Sequence, residues 1–203
     1  CSIIVGFDIT ANGGEEITEA GCYYAEDGDA TPTQQKAKIE NYQGAIGAQQ
    51  VKLNDLKFNT TYRIWAYAQN RVGETKSQAI TFRTSDAVKL QEAGKLSELM
   101  GNHLNEYTQL TIAGDLNGDD LRCLRTMAGR DITNETTEGK LTDINLADAH
   151  IVAGGGDFGP YHRHTENQVV GQGFLAQCNQ LSHILLPSDV TKIEKDAFAG
   201  CTS

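Results

Sequence analysis

The chain has 203 residues, a formal charge of −10 at neutral pH and 39% hydrophobic residues. That length accommodates two domains of about 100 residues each. The negative charge excludes nucleic-acid backbones and anionic lipid surfaces as electrostatic partners, and no stretch approaches the about 20 consecutive apolar residues of a membrane-spanning helix. Cys1, Cys22, Cys123, Cys178 and Cys201 are an odd, scattered set. Packed cores rather than a dense disulfide framework are therefore expected to hold the fold.

The N-terminus lacks the basic, apolar and small-residue succession of a secretory signal, so any export signal is expected to have been removed. Ile3, Val5, Phe7 and Ile9 alternate with less uniform neighbours and run into Asn12, Gly13 and Gly14, which predicts a strand and a turn. Further strands are predicted over 17–24, 36–42, 49–53, 62–68 and 79–84, separated by polar turns, the rhythm of a β-sandwich. Between them, Leu56 to Tyr62 sets a tyrosine at a strand start. There its ring can be buried and its hydroxyl can return to the backbone, as in a tyrosine corner.

These residues carry a resemblance. Ile17 followed by Gly21, Cys22 and Tyr23, then Leu56, Thr60, Tyr62, Trp65, Ala66, Ala68, Asn70 and Gly73, then Ile80 to Thr84, resemble a fibronectin type III-like domain of the bacterial surface kind. The resemblance implies that residues 1–86 form an all-β immunoglobulin-like sandwich. The family's usual first strand would precede Ser2, and Phe58 stands where the corner usually has proline. Cys1 is open to a lipid-anchor reading, as is a site upstream, but Ile3 to Ile9 already reads as core with no tether before it.

In residues 87–203, Leu96, Leu99, Met100 and Leu104 fall at helical spacing, and Leu121, Leu124, Met127 and Ala128 do so again before Gly129, predicting two amphipathic helices. An apolar triplet recurs at Tyr107, Leu110, Ile112, at Leu141, Ile144, Leu146 and at Leu181, Ile184, Leu186. Val170, Leu175, Ala176 and Cys178 recur 23 residues later as Ile193, Phe198, Ala199 and Cys201. Such repetition predicts a solenoid. The stretch from Leu181 through Pro187, Val190, Ile193 and Phe198 to Cys201 resembles the leucine-rich repeats of BspA-like bacterial surface antigens, and residues 94–152 resemble the atypical unit that caps such arrays. The implied fold is multidomain, an all-β sandwich followed by an α/β leucine-rich repeat solenoid with an N-terminal helical cap.

Asp115, Asn117 and Asp119 space oxygen ligands as a calcium loop begins, but Asp120 replaces the turn glycine and Thr126 the closing carboxylate. A helix cap is the expected role. Cys178 and Cys201 occupy equivalent repeat positions; a buried ladder is expected, with a disulfide as the alternative. Cys22 and Cys123 have no histidine base in view. The most unusual segment is the glycine-rich stretch 154–168, in which Phe158, Tyr161, His162, Arg163 and His164 are the candidate ligand contacts. His162 and His164 with Asp157 or Glu166 offer a weak metal set, and no metal or cofactor is expected.

No phosphate loop, nucleophile elbow, zinc-protease helix or working carboxylate pair is visible, so the chain is not expected to be an enzyme. The two resemblances imply a secreted or surface-attached bacterial adhesion protein, with a protein or glycan ligand bound by the solenoid face or by the 154–168 segment. Nucleic acid and membrane insertion are not expected. The alternative is a passive spacer within a larger surface enzyme or assembly.

Overall fold

The computed structural model describes residues 2–28, 34–160 and 162–202; Cys1, the possible anchor, and Tyr161 lie outside them. The chain divides into two compact units, Cys1–Ser85 and Asp86–Ser203.

In the first unit, β1 (Ile3–Ile9) pairs antiparallel with β4 (Gly47–Leu53), from Ile3 opposite Leu53 to Ile9 opposite Gly47. A second antiparallel sheet joins β2 (Ile17–Glu26) to β3 (Gln35–Lys38) and β5 (Thr61–Asn70), and β5 to β6 (Glu74–Lys76) and β7 (Ile80–Arg83). Successive strand residues face opposite sides, and the inward set of both sheets meets in one core. Val51 and Leu53 from β4 pack with Cys22 and Tyr24 of β2 and with Tyr62 and Ile64 of β5, while Ile3, Val5 and Phe7 of β1 lie against them. This is the face-to-face arrangement of a β-sandwich. The Tyr62 hydroxyl accepts a hydrogen bond from Lys57 N at 3.0 Å, beside the buried Leu56. The strand pattern in the sequence anticipated β1 to β5 and β7 to within a few residues; the short β6 was not anticipated.

The second unit departs from the expected architecture. The protein is mostly β, 39% strand against 9% helix, and among the described residues neither a leucine-rich repeat solenoid nor a helical cap is evident. A four-stranded parallel sheet runs in the order β12 (His183–Leu185), β10 (Asp143–Ile151), β9 (Gln109–Leu116), β8 (Ala87–Lys89). The separate β11 (Val169–Val170) and β13 (Lys192–Ile193) pair only with each other.

The apolar triplets do mark strand register, since Leu110 lies opposite Ile144 and Ile144 opposite Ile184. The inference from triplet to solenoid fails for physical reasons. The parallel strands begin at residues 87, 109, 143 and 183, intervals too unequal for the constant period of stacked units. Gln177 and Asp196 sit at φ 66° and 60°, left-handed positions that break any helix in the two 23-residue-related segments. Those segments fold as turns.

Among the described residues, helix is confined to α1 (Leu96–Met100), a following 3-10 turn (Gly101–His103) and α2 (Gly118–Met127). The Asn117 side chain caps α2 by accepting from Asp119 N, Asp120 completes a capping box, and Leu121, Leu124 and Met127 turn to the core. Gly129 at φ 92° ends the helix, a conformation glycine adopts without a Cβ penalty.

Candidate functional site

The glycine-rich segment is held against the N-terminus of α2. Gly118 N donates to Gly154 O at 3.0 Å, Gly156 N to Asp119 Oδ1 at 3.2 Å, and the Arg122 Nε–H to Asp157 O at 2.8 Å. Gly155, at φ 69°, leaves no room for a Cβ beside the Asn117 side chain. Its glycine therefore answers to close packing.

Within the segment, Phe158 is 1% exposed, with its ring against Gly171, which corrects its reading as a ligand contact; it is a core residue. His162 and His164 are exposed and both turn to one carboxylate, with Nδ1 of His162 2.6 Å from Asp157 Oδ2 and Nε2 of His164 3.4 Å from Asp157 Oδ1. Arg163 is half-buried, and its Nε has no hydrogen-bond partner among the described residues. Tyr161 lies outside the described residues. Among those described, no group of three or more His, Cys, Asp or Glu side chains is placed to hold a metal ion.

The apparent calcium loop is spent on structure. Asp120 is fully buried and its carboxylate accepts from three backbone groups, Gly94 N at 2.6 Å, Leu96 N at 2.9 Å and Asn117 N at 2.9 Å. Asn117 takes the capping role and Asp119 the contact to Gly156. The Cys22 and Cys123 thiols are unsuited to attack. Burial pushes Cys22 up to about 11 and Cys123 up to about 12, the latter with a contribution from the Asp120 charge.

The outer face of the parallel sheet is a second candidate surface. Leu110, Ile112, Ile144, Leu146 and Ile151 point inward and are buried. Their alternates Gln109, Thr111, Asp143, Asn145, His150, His183 and Leu185 are exposed or half-buried. Gln109, Asp143 and His183 stand in one cross-strand row, and Thr111, Asn145 and Leu185 in the next. Parallel sheets are normally covered on both faces; among the described residues this face carries mainly polar side chains, with Leu185 at 55% exposure. His150 faces Asp115 across the ladder, and its Nδ1 lies 2.8 Å from Asp189 Oδ2. That contact raises the His150 pKa above its ordinary value and lowers that of Asp189. His183 Nδ1 lies 3.2 Å from Asp143 Oδ1.

Sequence reasoning missed two features of the first unit. The outer face of β2, β3, β5 and β6 layers cations over aromatic rings, with Lys36 Nζ 4.3 Å from the Tyr67 ring centre and Lys76 Nζ 3.6 Å from that of Tyr23. Glu19 joins Lys36, Lys38 and the Tyr67 hydroxyl. The alternation of Tyr23, Lys36, Trp65 and Tyr67 on paired strands was the available signal. A cleft of about 600 Å³ is lined by Phe7, Ile9, Ile17, Ala68, Asn70 and Lys76; it depends on strand pairing that no local motif encodes. No protein-family model matches the chain, and no curated protein matches it either.

Proposed function

We propose that the protein is a non-catalytic binding module of a bacterial cell surface, engaging a protein or glycan ligand through the outer face of its parallel sheet. The observation that supports this reading is the pair of cross-strand rows, Gln109, Asp143, His183 and Thr111, Asn145, Leu185, exposed or half-buried on strands whose other side is core. Such a face is rigid and rich in hydrogen-bonding groups, so a ligand meets prearranged donors and acceptors and little ordering entropy is lost on binding. The first unit, with its two packed sheets and its tyrosine corner at Tyr62, supports the fibronectin type III-like resemblance and acts as the spacer that presents the binding unit. Burial of the Cys22 and Cys123 thiols favours binding over thiol chemistry.

The test is an array of matrix proteins and glycans probed with the native chain, with Asn145→Arg plus Leu185→Asp, and with His162→Ala plus His164→Ala. Binding lost with the sheet pair and kept with the histidine pair supports the proposal. Binding lost only with the histidine pair moves the site to the 154–168 segment, and silence of the native chain across the array favours a passive spacer.

A further inference from the structure

The geometry points to Cys178 and Cys201 as a reactive pair that closes into an internal disulfide when the protein meets a low-molecular-weight disulfide such as oxidised glutathione. Both thiols are free in the structure, Cys178 buried and Cys201 half-buried. The two segments that carry them run side by side. Val170 lies opposite Ile193, Leu175 N donates to Ala197 O at 2.9 Å, and Gln177 N donates to Ala199 O at 2.7 Å. Chains paired in this way lie about 4.8 Å apart, within the about 4.4–6.8 Å between Cα atoms that a disulfide spans.

The side chains converge as well. Cys201 Sγ lies 3.2 Å from Leu175 O and Cys178 Sγ 3.9 Å from Ala176 O, two consecutive carbonyls of one turn. Burial raises the Cys201 thiol above its ordinary value, and the nearby Cys178 backbone N–H, which donates to Leu175 O at 3.2 Å, offsets part of that rise. A third group serves the same spot. The Arg125 guanidinium is fully buried, donates to Gly173 O at 2.8 Å and to Ala176 O at 3.3 Å, and leaves its Nε without a hydrogen-bond partner among the described residues. Its positive charge acts on both sulfurs in the direction of the thiolate.

The reaction balances as two thiol–disulfide exchanges. The half-buried Cys201 thiolate attacks the small disulfide, forming a mixed disulfide and releasing one thiolate. Cys178 then loses its proton to water and attacks the Cys201 sulfur, and the second small thiolate leaves. Two cysteine thiols are oxidised and one external disulfide is reduced to two thiols. Burial holds Cys178 up at about 11, so closure is slow at neutral pH and speeds up as pH rises, by close to tenfold per unit while the thiolate is the minor form.

The experiment is incubation of the native chain with oxidised glutathione at several pH values, followed by trapping, proteolysis without reductant and mass analysis. The expected result is a peptide linking Cys178 to Cys201, lighter than the two free peptides by two hydrogens. Its formation should accelerate with pH, and in urea the preference for this pair over Cys22 and Cys123 should vanish. The Cys178→Ser variant should stop at glutathione on Cys201. Native protein that keeps Cys178 free, whether Cys201 stays free or holds glutathione stably, overturns the inference.

Discussion

In the antiparallel unit the charged groups stay at the surface, Glu19 with Lys36 and Lys38, and Arg63 with Asp27. In the parallel unit two charged side chains are fully buried, Asp120 and Arg125, and both bond to backbone. The difference follows from topology. Hairpin-like ladders satisfy their own N–H and C=O groups, whereas the turns that connect parallel strands leave such groups inside, where an unpaired one costs about 1–3 kcal/mol. Arg125 satisfies the carbonyls of Gly173, Phe174, Ala176 and Asp131 and the Asn134 side chain. Asp120 satisfies three N–H groups at the start of α1 and α2.

The contrast is broken most severely at these two residues. Arg125→Met should destabilise the second unit by about 3–5 kcal/mol and Asp120→Ala by about 3 kcal/mol, because each strands several buried backbone groups. Trp65 is the only tryptophan and lies in the first unit, so its fluorescence follows that unit alone, while far-ultraviolet circular dichroism follows both. Urea titration of either variant should move a circular dichroism transition and leave the Trp65 transition in place. Equal movement of both would show that the buried charges support more than their own unit.

Tyr62→Phe is the counterpart in the first unit. It removes the bond from Lys57 N to the tyrosine hydroxyl while the ring keeps its place between Tyr24 and Phe82. The Trp65 transition should weaken by about 1 kcal/mol, the net worth of one such bond. A loss near the Arg125→Met value would erase the distinction between the units.

What the sequence revealed follows the same division. Period-two alternation in Ile3 to Ile9 and in Gln49 to Leu53 reports a strand with one face on a core, and the antiparallel unit is built from such strands. In the parallel unit the triplets around Leu110, Ile144 and Ile184 correctly marked residues that stand opposite one another. Their even appearance hid unequal connections and the left-handed turns at Gln177 and Asp196, which decide whether neighbouring strands repeat as a solenoid. At the candidate site, glycine, histidine and aromatic residues in 154–168 looked like a binding loop. Phe158 turned out to be core and Gly155 a close-packing position, because composition does not say which side of a loop faces inward. The bare sheet face was visible only once the strands were paired.

A smaller effect separates the units in acid. The Lys36 and Lys38 ammonium groups hold the Glu19 carboxyl down at about 2, against an ordinary 4.5, so its interactions stabilise the folded first unit above about pH 4.5. That stabilisation is lost as pH falls toward about 2. The cluster is partly solvated, with Glu19 25% and Lys38 55% exposed, which limits its worth to below about 1 kcal/mol. Glu19→Gln should flatten the acid limb of the Trp65 transition over that window and change nothing near neutrality beyond a small uniform offset.

The smallest effect lies in the second unit and has the opposite sign in pH. The Asp189 carboxylate beside His150 raises the imidazole pKa, with Asp115 across the ladder adding to it. A raised folded pKa means that the folded state binds the proton more tightly than the unfolded chain. The added stability is fully present below the ordinary value of about 6.5 and is lost as pH rises through the folded value. Because His150 is 53% exposed, the slope is shallow and is read from midpoint against pH. His150→Gln should remove that slope from the circular dichroism transition, and Asp189→Asn should remove most of it by deleting the partner that raises the pKa. A slope that survives both changes would show that the pairing of His150 with Asp189 is not its source.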